Sequence, residues 1–281
     1  MTIPEFVLLM LGLAALFMLI VRAEMGISKR WALSGKQRLG GALGGSKTIG
    51  DREIQEDEYC MMETEEGSMA ALADGRGKQL GGKIAARLAV QAFRDMFEDR
   101  NAFYNPQYSF RKAFQGANRE ILNQLDENQG CASVGAMMLK ARKLYYAVVG
   151  NVRVAVYRNH ELVPVSSGHT INLLAKQKYE EGKLTREEAV SLLNHHRLYN
   201  FVGQDGFQDV EFFDTPINLY RGEYVLLMSD GLYETARWKD MEECLEMEGD
   251  CQQKAYRLIE LVNQSAEQEK DNAAVVVMQV R

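Results

Sequence analysis

The chain is 281 residues long with 46% hydrophobic and 26% charged side chains, enough for one globular domain of roughly 230 residues and an appendage. Its formal net charge of −6 carries no basic excess of the kind that follows a phosphate backbone, which argues against nucleic acid as a partner. Cys60, Cys131, Cys244 and Cys251 have neither C-x-x-C spacing nor the density of a secreted disulfide scaffold, and the four histidines form no H-x-x-x-H pair. Free thiols in a reducing compartment are expected, and zinc is not.

The clearest break in composition is N-terminal, where residues 6–21 are wholly apolar. As a helix, residues 3–21 nearly span a hydrocarbon core of ~30 Å. No positive charge precedes the run and no small-x-small site closes it, so a membrane anchor over residues 1–22 is expected rather than a cleaved signal peptide. Arg22, Lys29, Arg30, Lys36 and Arg38 follow the span and only Glu5 precedes it, which predicts a single-pass protein of the cell membrane with the rest of the chain cytoplasmic. Residues 23–46 are basic and Gly-rich and read as a flexible juxtamembrane linker, with Trp31 suited to the lipid interface.

Residues 47–281 contain no repeat or low-complexity segment and mix strand and helix patterns, as expected of one catalytic domain. A strand is expected over 69–73. Ile84, Leu88, Ala92 and Met96 then recur at four-residue spacing, with Ala85, Ala89, Phe93 and Phe97 alongside, and Phe110, Phe114, Ala117, Ile121 and Leu125 form a second stripe. Both are core faces of helices. Strands follow over 132–139, 144–149 and 152–157, then a helix over 185–193, a strand over 224–228, a helix over 252–262 and a last strand over 273–280. Two helical layers around stacked sheets satisfy both kinds of amphipathic face.

Two apolar strands end alike: residues 69–73 run into Asp74-Gly75, and residues 224–229 run into Asp230-Gly231. Asp271-Asn272 opens the last strand, and Glu56-Asp57 follows Arg52 by a few residues. One Asp-Gly is ordinarily a turn. Several carboxylates at the ends of apolar strands repel one another and need a cation to make the arrangement favourable. Oxygen ligands without partnered Cys or His select a hard ion, Mg²⁺ or Mn²⁺. The residues themselves therefore point to a metal-dependent hydrolase or phosphotransferase.

These segments resemble those of the protein phosphatase 2C family of metal-dependent Ser/Thr phosphatases in its bacterial form. Arg52, Glu56 and Asp57 match its R-x-x-x-E-D segment; Ala73, Asp74, Gly75, Gly77 and Gly82 its A-D-G-x-G-x-x-x-x-G segment; residues 229–232 its S-D-G-L segment; and Asp271-Asn272 its final D-N segment. The resemblance covers about residues 48–280 and implies an α+β fold, a four-layer α-β-β-α sandwich with two central antiparallel sheets, behind the N-terminal transmembrane helix. It implies two Mn²⁺ or Mg²⁺ ions surrounded by Asp57, Asp74, Asp230, Asp271 and the Gly75 carbonyl, with Glu56 beside them, and Arg52 on the substrate phosphate. Arg52, Asp57, Asp74 and Asp230 are thus the expected catalytic residues. Phosphorylated proteins are the implied partners, with a cognate bacterial Ser/Thr kinase expected nearby. Residues 166–203 correspond to a mobile flap that selects substrates, and His195 and His196 within it are read as surface residues.

Three positions depart from the family pattern. Asn151 and Gly168 stand where carboxylates usually help to hold a third ion, and Lys83 replaces a common Glu. Arg76 after Asp74-Gly75 is also unusual. A third ion is therefore doubtful, and a membrane-tethered pseudophosphatase that binds phosphoproteins without turnover is the alternative function. A scaffold with acidic strand ends is the remaining one.

Overall fold

The computed structural model describes residues 41–99, 101–125, 129–193, 197–207 and 209–281. The expected membrane anchor, most of the expected linker, and His195 and His196 lie outside the described residues; among the described residues no helix is long and apolar enough to cross a membrane. In chain order the elements are β1 (Gly41–Thr48), β2 (Asp57–Glu63), β3 (Ser68–Gly77), α1 (Gly81–Glu98), α2 (Pro106–Gln124), β4 (Gly130–Lys140), β5 (Lys143–Val149), β6 (Arg153–Arg158), β7 (Glu161–Pro164), α3 (Ile171–Glu180), α4 (Arg186–Leu192), β8 (Glu211–Phe212), β9 (Ile217–Asn218), β10 (Tyr224–Met228), α5 (Asp230–Thr235), α6 (Trp238–Glu246), α7 (Cys251–Asn263) and β11 (Ala273–Val280).

Uninterrupted apolar strands need cover on both faces, and the two sheets provide it. One sheet has the order β1-β11-β10-β6-β7, the other β2-β3-β4-β5-β8 with β9 also on β5, and every pairing is antiparallel. Along β11, Ala274, Val276, Met278 and Val280 enter the core between the sheets, while Ala273, Val275 and Val277 pack outward with Leu258, Ile259 and Val262 of α7. The same alternation splits β10, with Val225 and Leu227 inward and Leu226 and Met228 outward. α1 and α2 cover the outer face of the β2–β8 sheet, and α7, with α5 and α6, covers that of the β1–β7 sheet. The expected sandwich of two antiparallel sheets with flanking helices is the architecture found.

The buried face of α1 is turned toward the second row of its stripe: Ala85, Ala89, Phe93 and Phe97 are buried together with Met96, whereas Ile84, Leu88 and Ala92 are half-buried at its edge. In α2, Phe110, Phe114, Ala117 and Ile121 are buried as their spacing requires. Phe93 and Phe114 meet edge to face with centroids 4.9 Å apart, joining the two helices. Asn105 caps α2, its side chain accepting from Tyr108 N–H at 3.1 Å, with Pro106 in the first turn.

Residues 41–46, expected to belong to the flexible linker, instead form most of β1, paired in register with β11 from Gly41↔Val280 to Thr48↔Ala273. The ordered domain therefore begins ahead of residue 47. Glycine there serves close approach: a Cβ on Gly44 would lie 2.2 Å from the backbone at Cys251, so α7 rests directly on this strand. The four cysteines are free, and Cys131 lies in β4 partly exposed.

The Phe93–Phe114 contact yields a stability prediction. Phe114 is fully buried, so Phe114→Ala should destabilise the domain by about 3–5 kcal/mol in denaturant unfolding. Tyr108→Ala on the exposed side of α2 should cost under about 0.5 kcal/mol. Equal losses would mean that the helix pair is not seated on the sheet through Phe114.

Candidate active site

The antiparallel register of β2 and β3 sets Asp57 opposite Asp74, and the next pairing sets Asp74 opposite Ser133 of β4. Strand β10 of the other sheet ends at Met228, and Ser229-Asp230 turns directly into α5. The Ser229 hydroxyl ties the sheets together: it donates to Asp57 Oδ2 at 2.7 Å and accepts from Ala274 N–H at 2.8 Å. Asp57, Asp74 and Asp230, all expected as site residues, are thereby brought into one acidic group.

Electrostatics register the crowding. Asp57, 2% exposed, is pushed up to about 7, first by burial and further by the Asp230 and Asp271 charges, against the opposing Ser229 hydrogen bond. Asp74 is held well above the usual carboxylate range by burial, then by the charges of Asp230 and Asp57; it also shares a hydrogen bond with the Asp230 carboxyl, which requires a proton on one of the two. Asp230 in addition accepts from Asn151 Nδ2 at 2.6 Å, and Ser133 Oγ donates to Asn151 Oδ1 at the same distance of 2.6 Å.

Asp271 and Arg52 stand at the rim of this group. The guanidinium forks onto the carboxylate, Nε donating to Oδ1 at 3.0 Å and Nη2 to Oδ2 at 3.1 Å. Asn272 anchors the loop that carries Arg52, accepting from Glu56 N–H at 2.7 Å and donating to the Ile49 carbonyl at 2.8 Å. Arg52, Glu56, Arg76 and Asp271 line one open cleft of about 370 Å³. Glu56 belongs to this rim: the charges acting on it are those of Asp271, Arg52 and Arg76, and its Oε1 is buried without a hydrogen-bond partner against Gly82 at the start of α1. Burial raises its pKa, opposed by the Lys83 backbone N–H. Gly75 N–H donates to the Glu56 carbonyl at 3.2 Å, joining the rim to β3.

Among the described residues, no three carboxylate, thiol or imidazole side chains form a ready-made ligand shell. Their oxygens instead hydrogen-bond to each other and to Ser229, Asn151 and Arg52. The donor chemistry nevertheless fits hard divalent cations: the set is oxygen-only, burial and neighbouring carboxylate charges raise the pKa of Asp57 and Asp74, and a buried carboxylate oxygen of Glu56 has no hydrogen-bond partner. At the corner expected to be weak for a third ion, the fit fails. Asn151 presents an amide donor to Asp230, and Gly168 has φ +85° with its N–H donating to Glu211 Oε2 at 2.7 Å. A Cβ on Gly168 would lie 2.8 Å from the Gly150 carbonyl oxygen, so a carboxylate does not enter there without a backbone shift.

Ser229, Asn272, Ser133 and Tyr233 were not singled out as contributors by the sequence. Ser229 and Asn272 belong to the S-D-G-L and D-N segments beside the motif aspartates, and that membership is the signal that could find them. Tyr233 donates its hydroxyl to the Asn151 carbonyl at 2.8 Å, a contact without any sequence signature.

A family model described as protein phosphatase 2C matches residues 44–270. The chain belongs to the protein phosphatase 2C family. It is a metal-dependent phosphoprotein phosphatase of the bacterial type. It is 26% identical over 237 residues to a serine/threonine phosphatase, stp, of Listeria monocytogenes, covering 81% of this chain and 91% of that protein. It is 23% identical to the protein phosphatase PhpP of Streptococcus pneumoniae, over 75% of this chain and 86% of that one. Among solved structures, the S. agalactiae serine/threonine phosphatase superposes with a TM-score of 0.72 at 25% identity, covering 85% of this chain and 99% of that one. The PstP catalytic domain, solved with two manganese ions, shares the fold with a TM-score of 0.68 at 22% identity, over 85% of this chain and 98% of that one.

The raised carboxyl groups make stability depend on pH with a definite sign. The folded state holds Asp57 protonated up to about 7, whereas the unfolded chain releases that proton near 3.8. This contribution is full below the unfolded value and is lost as pH rises through the folded one. In chelator, the melting temperature should therefore fall as pH rises from about 4 to about 7, and Mn²⁺ should raise it more at the higher pH. A melting temperature independent of pH over that range, with and without Mn²⁺, would remove the electrostatic basis of the site.

Proposed function

We propose that the chain is a membrane-anchored Mg²⁺- or Mn²⁺-dependent protein serine/threonine phosphatase that hydrolyses phosphoserine and phosphothreonine by direct attack of water on phosphorus. The observation that carries this reading is the convergence of Asp57, Asp74 and Asp230 from both sheets, where burial and the neighbouring charges raise the pKa of Asp57 and Asp74. The two manganese ions of the PstP structure support two cations at this place. When bound, such ions would lower the pKa of a water and neutralise the phosphoryl oxygens.

The chain's own residues divide the remaining work. Asp57, Asp74, Asp230 and Asp271, with the Gly75 carbonyl, would hold the ions, and Glu56 supports them from the rim. Ser229 fixes the Asp57 carboxylate and Asn151 fixes that of Asp230 through hydrogen bonds of 2.7 and 2.6 Å. Arg52, exposed and paired with Asp271, exchanges that surface ion pair, worth about 0–1 kcal/mol, for the substrate phosphate. The water oxygen bonds to phosphorus as the bond to the serine or threonine oxygen breaks, and the leaving oxygen takes a proton. Arg76 cannot supply it, because a guanidinium stays charged.

The apolar run over residues 6–21 and the cations after it support a membrane anchor with the domain in the cytoplasm. Residues 166–203 carry α3 and α4, the latter started by a capping box of Thr185 and Glu188, and act in this reading as the substrate-selecting flap. Phosphorylated proteins are the substrates, with a membrane Ser/Thr kinase as the opposing enzyme.

Asp74→Asn and Asp230→Asn should each reduce Mn²⁺-dependent release of phosphate from a phosphothreonine peptide by about 100-fold or more, while far-UV circular dichroism stays unchanged. Near-wild-type turnover in either variant would exclude the site; tight peptide binding without turnover in the wild type would make the chain a pseudophosphatase. For the anchor, protease added to intact spheroplasts should leave the domain uncut, and digestion before lysis would reverse the orientation.

A further inference from the structure

A second cleft, of about 390 Å³, adjoins the acidic group and is lined by Asn151, Arg153, Thr170, Asn172, Tyr233 and Glu234. Its link to the site is direct, because Asn151 is the residue whose amide donates to Asp230. Arg153 lies opposite Met228 in the β6–β10 register, beside the turn that delivers Asp230. Its guanidinium carbon sits 3.9 Å from the centroid of the Tyr233 ring. That ring is itself fixed: it is 8% exposed, and its hydroxyl donates to the Asn151 carbonyl.

A guanidinium stacked on a locked aromatic ring is oriented in advance, and its N–H edge stays available. Among the described residues no carboxylate pairs with Arg153. Asn151, Thr170 and Asn172 contribute neutral polar groups, and Glu234 is the single acidic residue of the lining. Such a lining suits an anion better than a cation, since a planar fork recognises carboxylate or phosphate oxygens in pairs.

We propose that this cleft binds a second anionic group of the substrate, a carboxylate or a further phosphoryl group on a residue flanking the phosphoamino acid, with Arg153 as its principal ligand. The inference rests on the phosphatase function proposed for the chain and adds a substrate class to it: phosphoproteins with acidic or multiply phosphorylated sequence around the target residue.

The test uses the full chain in Mn²⁺ with phosphothreonine peptides that differ at one flanking position, carrying alanine, lysine, glutamate or phosphoserine, scanned on either side. The wild type should show kcat/KM about tenfold higher for glutamate or phosphoserine than for alanine, with lysine lowest and the difference carried by KM. Arg153→Gln should bring the four peptides to within about twofold while p-nitrophenyl phosphate turnover and Mn²⁺ affinity are unchanged; Arg153→Lys, which keeps the charge without the fork, should retain part of the preference. A preference for glutamate alone identifies a carboxylate as the ligand, and one for phosphoserine alone a second phosphoryl group. Equal kcat/KM for all four wild-type peptides, a preference that survives in Arg153→Gln, or a parallel loss of p-nitrophenyl phosphate turnover overturns the proposal. If the wild type hydrolyses no phosphoester, the phosphatase reading fails instead, and fluorescence anisotropy with the same peptides still reads whether Arg153 confers an anion preference.

Discussion

Like charges held in a poorly solvated place are the constraint around which this end of the molecule is organised. Asp57 and Asp74 face each other across one sheet, and Asp230 reaches them from the other. Packing two sheets face to face thus forces three carboxylates together, an arrangement that costs free energy unless protons, hydrogen-bond donors or cations offset it. The surroundings supply donors wherever the chain allows: the Ser229 hydroxyl, the Asn151 amide and the Arg52 guanidinium each address one carboxylate. A domain stabilised mainly by its apolar layers can carry such strain at one end because the cost is small beside the burial of two separate cores.

The parts legible in the sequence were those with two-sided burial or a strong helical stripe. β3, β4, β5, β6, β10 and β11 are continuous apolar runs because both faces are covered, and α1, α2 and α7 show one clean buried face. β1 was hidden because its glycines resemble a linker when only composition is seen. β2 was hidden because Asp57, Glu58 and Glu63 interrupt its apolar residues in an edge strand, and α3 because Ala175 is its single buried residue. Within the site, the aspartates were visible as endings of apolar strands. Their partners were not, since Asp57 and Ser229 are 172 residues apart and Arg52 and Asp271 are 219 apart, and no local pattern encodes such contacts.

Asn151 and Gly168 show how a departure in sequence becomes a different local chemistry. An aspartate at 151 would accept but not donate, so it would add a fourth carboxylate where the amide now supplies a hydrogen bond to Asp230. The left-handed backbone at Gly168 and the clasp of Glu211 on the Ser167 and Gly168 N–H groups complete a corner built from neutral donors. Where the resembled family usually places carboxylates, this chain has one amide that holds the Asp230 carboxylate and a backbone clasp closed by Glu211.

The pairing of Arg52 with Asp271 would couple the two binding events of the proposed reaction. The same carboxylate that would face a cation holds the guanidinium that would face phosphate, through two parallel hydrogen bonds. A cation that draws off the charge of Asp271 loosens Arg52, and a phosphate that draws off Arg52 bares Asp271. Each ligand thus removes the competitor of the other, and by linkage the factor by which metal tightens phosphate equals the factor by which phosphate tightens metal. One exposed ion pair would make the two binding events cooperative without any movement of the sheets.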